Sequence, residues 1–231
     1  MLAALPEELA ALGEHRTRRV QGLELMELDL PVDSGSARAI ACVGGVGKVN
    51  AAHATSVLFS AGATRALFVV GVCGGLRRAL VPGSLVHCER AVQADLALRG
   101  EREVESDAGL RGAWLSVADG ASGWFLTADR PVLSLWRRLR LARAFTGACV
   151  ADMETAAAAA VARKSGVPWA ALRAVTDGAT EGGALAFRKN FPVQAARAAA
   201  TLPALVRALQ NGRHVIHGHA SPTLASRAGP K

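Results

Sequence analysis

The segment Arg65–Val72, RALFVVGV, constrains the fold more than any other part of the chain. A short, uninterrupted apolar run of this kind is a strand covered on both faces, which belongs in a sheet flanked by helices. It runs straight into Cys73-Gly74-Gly75-Leu76, a glycine-rich turn. Trp169–Thr176 is a second run of the same kind, ending at Asp177.

Strands are also expected at Gln21–Leu30, Ala37–Val43, Leu85–Cys88 and Ala148–Met153. Helices are expected at Val49–Ala61, Leu133–Phe145, Glu154–Ser165 (stopped by Gly166) and Phe191–Leu209. Pro6-Glu7-Glu8 suits the first turn of a further helix, and the five residues before it are short for a strand. A polar loop is expected from Cys88 to about Gly112. Strands alternating with helices predict an α/β, three-layer αβα sandwich with a central mixed, mostly parallel twisted sheet. Residues 1–209 read as a single domain, and 210–231, rich in Gly, His, Pro, Ser and Arg, as a flexible tail. His214, His217 and His219 in that tail have metal-like spacing but no fold to orient them, so no metal is expected.

Half of the 231 residues are hydrophobic, enough for a full core, yet no apolar run reaches the roughly 18–20 residues that span a bilayer. The opening MLAALPEELAAL lacks a basic stretch and a cleavage site, so no signal peptide is expected. The four scattered cysteines form no CxxC pair, which predicts reduced, buried thiols and a cytoplasmic setting. The net charge of +8 is spread over separate arginine clusters, without interleaved aromatics for stacking bases. Neither nucleic acid nor stable membrane insertion is therefore expected.

Chemistry concentrates where strands end, the usual ligand position in open α/β sheets. Gly44-Gly45-Val46-Gly47-Lys48-Val49-Asn50 fits neither known phosphate loop: Cys42 stands where a Walker loop needs glycine, and Asn50 where a dinucleotide fingerprint needs one. Asp152 and Glu154 end one strand and Asp177 ends the next, so three acids converge on one cleft. Each has a plainer alternative as a helix cap or ion-pair partner, such as Asp177 with Arg173.

Taken together, the turns Gly45–Ala52 and Gly71–Leu76, the Met153-Glu154-Thr155-Ala156-Ala157 helix start and the Arg173–Asp177 strand end resemble the purine nucleoside phosphorylase and nucleosidase superfamily. They are most similar to its 5′-methylthioadenosine/S-adenosylhomocysteine nucleosidase-like hydrolases, over residues 1–209. The resemblance implies hydrolysis of the N-glycosidic bond of a purine nucleoside, with a methylthioadenosine-like, other adenosyl or futalosine-type substrate, a role in adenine salvage and a homodimer without cofactor. It implies that Asp177 donates to purine N7, that Glu154 binds the ribose hydroxyls with Met153 against the sugar, and that Glu8 activates water. Arg173 would order the acids. Val72, Cys73, Gly74, Thr176, Asp129 and Val132 would complete the substrate contacts. A carboxylic acid that gives up a proton near neutral pH must be held in its acid form by burial or neighbouring acids.

Phosphorylases of this superfamily need donors around a phosphate. By the same resemblance, the Lys48-Val49-Asn50-Ala51-Ala52 type of first turn favours water, and Val72, at a hydroxyl position, cannot donate to phosphate, while the abundant arginines keep phosphorolysis open. In Thr127-Ala128-Asp129-Arg130-Pro131-Val132, Pro131 stands where the nucleosidases carry a base-stacking aromatic, so Phe125 or Trp124 would have to substitute. A nucleoside-binding module without turnover is the alternative from another class, but it has no use for three acids in one cleft.

Overall fold

The computed structural model describes residues 1–33, 35–98 and 101–210; the tail from Asn211, with its three histidines, lies outside them. The chain runs β1 (Leu2–Ala3), a 3₁₀ helix (Pro6–Leu12), β2 (Arg16–Val20), β3 (Leu23–Val32), β4 (Gly35–Val43), α1 (Lys48–Ser60), β5 (Leu67–Gly75), β6 (Leu85–Gln93), β7 (Glu103–Glu105), α2 (Ala108–Leu115), β8 (Ala121–Thr127), α3 (Leu135–Ala144), β9 (Ala148–Asp152), α4 (Thr155–Lys164), β10 (Trp169–Asp177), α5 (Gly183–Ala199) and α6 (Thr201–Gln210).

All strands join one mixed sheet in the order β10-β6-β8-β9-β5-β1-β4-β3-β2, with β7 beside β6. β10 also pairs with β5, so β5, β9, β8, β6 and β10 close into a ring, and β1 to β2 extend from it as an open wing. The parallel pairs are β1–β4, β1–β5, β5–β10, β6–β8 and β8–β9; β2–β3, β3–β4, β5–β9, β6–β7 and β6–β10 are antiparallel. Helices cover both faces. One core joins the alanine-rich faces of α1 and α4 to Val69, Val86 and Phe125. The other joins Leu9 and Leu12 of the 3₁₀ helix, Trp114 of α2 and Leu202 and Leu205 of α6 to Val70, Leu172 and Ala174.

The two continuous apolar runs form the fully covered strands β5 and β10, as their patterns require. Elsewhere the elements depart from the sequence pattern for physical reasons. Gln21 and Gly22 both have positive φ and form the β2–β3 hairpin turn, so the strand begins at Leu23. β2 is mostly exposed and carries no apolar alternation to reveal it. The expected polar loop after Cys88 contains the rest of β6, β7 and the start of α2; the last is capped by Asp107, whose Oδ1 accepts the Leu110 N–H at 2.8 Å. The terminal helix begins at Gly183 rather than Phe191 and is divided at Ala200. All four cysteines are buried free thiols. No helix of the described residues is long and apolar enough to cross a membrane.

Candidate active site

The ends of β5, β8, β9 and β10 meet at one cleft, and strand register decides which side chains share it. Arg173 of β10 lies beside Gly71 of β5, and Asp177 beside Gly74. β9 runs antiparallel to β5 with Ala151 opposite Gly74, which delivers Asp152, Met153 and Glu154. The β5–β10 register slips between Val175 and Asp177. Strict alternation would send Thr176 to the face opposite Arg173; the irregularity lets Arg173, Thr176 and Asp177 all line the cleft.

At one end, Arg173 is buried among three carboxylates. Its Nη2 lies 3.2 Å from Asp152 Oδ2 and 3.2 Å from Glu154 Oε2, and its Nη1 lies 3.8 Å from Glu8 Oε1. Burial works to strip the guanidinium of its proton, but Asp152, Glu154 and Glu8 outweigh it and hold the charge firmly in place. Burial pushes the Glu154 carboxyl above the usual carboxylate range, against the pull of Arg173, and the neighbouring Asp152 adds to the rise.

Glu8 is fixed by backbone donors. Its Oε2 accepts the N–H groups of Ala4 (2.8 Å) and Leu5 (3.0 Å), and its Oε1 accepts that of Val72 (2.9 Å). The first two bonds are those of a helix cap, while the third crosses 64 residues to Val72 within β5. Gly71 makes this crossing possible. Its φ is +152°, and a Cβ there would stand 2.3 Å from Glu8 Oε1 and 2.4 Å from Arg173 Nη1. Glu154 precedes α4 but does not cap it; its Oε1 instead accepts the Gly47 N–H at 3.0 Å. Asp152 takes the local role: it accepts the Thr155 N–H and hydroxyl, and the Thr127 hydroxyl at 2.5 Å.

At the other end of the cleft, Asp177 pairs with neither arginine nor lysine among the described residues. Its Oδ1 accepts the Ala179 N–H at 2.8 Å, and its Oδ2 lies 2.8 Å from the Thr176 hydroxyl, which is also 3.1 Å from the Cys73 carbonyl. Asn190 Nδ2 donates to the Thr176 carbonyl at 2.8 Å and ties this strand end to α5. Burial pushes the Cys73 thiol well above its ordinary range, so it is a protonated wall of the cleft rather than a nucleophile.

Glu8, Val72, Cys73, Gly74, Val132, Met153, Glu154, Arg173, Thr176 and Asp177 thus share one cleft. Asp129 does not. Its carboxylate lies 3.1 Å from Lys48 Nζ, and Lys48 also holds Asp95 at 2.7 Å, so in this structure Asp129 stands outside the cleft lining. Phe125 is in the core, and Trp124 stacks under Arg90 (4.6 Å), so neither takes the place of a base-stacking aromatic. The aromatic that lines the cleft is Phe187 of α5, stacked on Phe191 at 5.2 Å. Its i,i+4 spacing from Phe191 was the available sequence signal. Leu126, Leu133 and Leu141 complete an apolar wall.

The chain matches the phosphorylase superfamily model over residues 1–210. It belongs to that superfamily. No curated protein matches it. Solved structures agree on the fold. A futalosine hydrolase of Helicobacter pylori is 24% identical with a TM-score of 0.81, over 89% of this chain and 95% of that one. The S-adenosylhomocysteine nucleosidase of Streptococcus pyogenes, in complex with 5-methylthiotubericidin, is 23% identical with a TM-score of 0.83, over 90% and 95%. The 5′-methylthioadenosine/S-adenosylhomocysteine nucleosidase of Neisseria meningitidis, in complex with methylthio-immucillin-A, is 23% identical with a TM-score of 0.82, over 89% and 96%.

Proposed function

We propose that this chain hydrolyses the N-glycosidic bond of a purine nucleoside, with water as the nucleophile. The observation that carries the choice of water is the charge balance at the Glu8 end of the cleft. One arginine faces three buried carboxylates, and the Val72 and Gly47 N–H groups are already given to Glu8 and Glu154. A phosphate dianion arriving there would meet net negative charge and donors already in use, whereas water meets a carboxylate able to take its proton.

In this reading Glu8 takes a proton from water as the oxygen bonds to the sugar C1′ and the bond from C1′ to purine N9 breaks. The electron pair of that bond goes to the purine, and Asp177 delivers a proton to N7. The Thr176 hydroxyl has one proton for two acceptors, the Cys73 carbonyl and Asp177. A proton on Asp177 Oδ2 completes that chain, which gives the acid a place to hold a proton before transfer. Glu154, already fixed by Gly47 and Arg173, accepts from the ribose hydroxyls, and Met153 packs on the sugar.

The wall of Leu126, Val132, Leu133, Leu141 and Phe187, with Arg130 beside it, supports a nucleoside whose remaining substituent is largely apolar, in keeping with a methylthioadenosine-like substrate. Val46 and Val49, exposed at the cleft edge where α1 begins, support a homodimer that shares that edge. The test is chromatographic detection of free base from 5′-methylthioadenosine, S-adenosylhomocysteine, adenosine, inosine and a futalosine-type nucleoside, with and without inorganic phosphate. Base and free sugar without phosphate are expected. Release only with phosphate, alongside a sugar 1-phosphate, would overturn the choice of water.

A further inference from the structure

Helix α3 is the one helix of the described residues with no buried residue. Its inward side is anchored by arginine: Arg138 donates to the Leu76 and Gly178 carbonyls at 3.1 Å each, and Arg137 to the Pro131 carbonyl at 3.3 Å. Its outward side presents Leu135 (43% exposed), Trp136 (71%) and Leu139 (43%), with Leu133 (46%) just before the helix. Arg140 and Arg143 stand on the same exposed side and have no ion-pair partner among the described residues. The helix contains no acid; Glu181, near its start, is occupied by the Leu135 N–H at 3.0 Å.

A soluble surface does not ordinarily leave a tryptophan and three leucines in water side by side. Nucleic acid would satisfy the arginines but leave the leucines wet. A second copy packed face to face would bring both pairs of arginines into one interface with no acid from either copy of the helix to meet them. An anionic lipid surface satisfies both sets: Trp and Leu enter the boundary between headgroups and acyl chains while the guanidinium groups meet lipid phosphates. We propose that the outward face of α3 with Leu133 is a peripheral membrane-binding surface selective for anionic lipid. Leu133 also lines the cleft, so docking would place the cleft mouth against the bilayer surface. The proposal does not depend on the catalytic reading.

The test is flotation of the full chain with vesicles of equal phosphatidylglycerol and phosphatidylcholine, against phosphatidylcholine alone, at about 0.15 M salt. Co-flotation with the anionic vesicles only is expected, with a blue shift of tryptophan emission. Trp136 is the exposed tryptophan, whereas Trp114 and Trp169 are buried. Trp136→Ser with Leu139→Ser should abolish partitioning. Arg140→Gln with Arg143→Gln should weaken it about fivefold for each arginine removed. These side chains are exposed, so melting temperatures should stay unchanged; if the apolar variant does not fold, the arginine variant still decides. No flotation with anionic vesicles, equal flotation with neutral ones, or variants that float like the parent would overturn the proposal. So would a monomer–dimer equilibrium shifted by Trp136→Ser, which would make the face an interface between copies.

Discussion

The two ends of the cleft are built differently. At the Glu8 end, each carboxylate is held by at least two partners, drawn from the residues before the 3₁₀ helix, β5, β8, β10, the turn before α1 and the start of α4. At the Phe187 end, the lining is mainly apolar and comes from the 128–133 loop, α3 and the start of α5. A reaction centre must hold charges within tenths of an ångström, which rigid strands and cross-connected donors can do. A recognition surface needs shape, which loops can vary without disturbing the centre. Asp177 belongs to this second end, beside Gly183 at the start of α5, and is fixed by its own strand end rather than by the arginine network.

Gly71→Ala should break this division most severely. The added methyl would collide with both Glu8 and Arg173, and neither can move without abandoning its buried partners. A destabilisation of about 2–3 kcal/mol is expected, seen as a fall in Tm of roughly 5–10 °C, together with loss of detectable base release. A variant with parental Tm and activity would show that the wired end is not rigid. Asp177→Asn should separate chemistry from structure. Asparagine keeps an oxygen for the Ala179 N–H but cannot give up a proton, so turnover should fall about 10³-fold with Tm nearly unchanged. Near-parental turnover in single-turnover assays would remove Asp177 from the role of acid.

Glu154→Gln should have an intermediate effect on turnover, about a hundredfold, because a charge-assisted acceptor for the sugar hydroxyls is lost. It also carries a pH signature. The folded chain holds the Glu154 proton more tightly than its ordinary value of 4.5 allows. The stability from that proton is therefore fully present below 4.5 and is lost as pH rises through the raised folded value. Glutamine does not titrate, so the Tm of the variant relative to the parent should climb as pH is raised from 4.5 toward 8. A difference that stays flat, or falls, would mean that Arg173 dominates burial at this carboxylate.

The same division separates what was legible in the sequence from what was not. β5 and β10 declare themselves because a strand covered on both faces must be apolar throughout, and the acids that end β9 and β10 follow from them. β2 was hidden because an exposed edge strand needs only backbone pairing, so its arginines look like a charge cluster. Gly123, where an added Cβ would strike Cys149 Sγ, weakens the strand pattern of β8, so that no element is expected there, although close packing demands the glycine. Phe187 was missed because Pro192 suits the first turn of a helix and so suggests a start at Phe191, whereas it lies inside α5, which begins at Gly183 against Asp177.

Asp129 gives the smallest effect and the sharpest test of the recognition end. Its motif position suggests a substrate contact, but nothing local in a sequence reveals that Lys48, 81 residues earlier, will claim its carboxylate. The pair is exposed on the Asp129 side (63%), so Asp129→Ala should cost less than about 1 kcal/mol. Lys48 keeps Asp95 at 2.7 Å, which limits any rearrangement of the loop. KM and kcat should therefore each stay within about twofold of the parent. A tenfold rise in KM with kcat unchanged would mean that Asp129 leaves Lys48 when substrate binds. The recognition end would then be a loop that closes over the nucleoside, not a preformed wall.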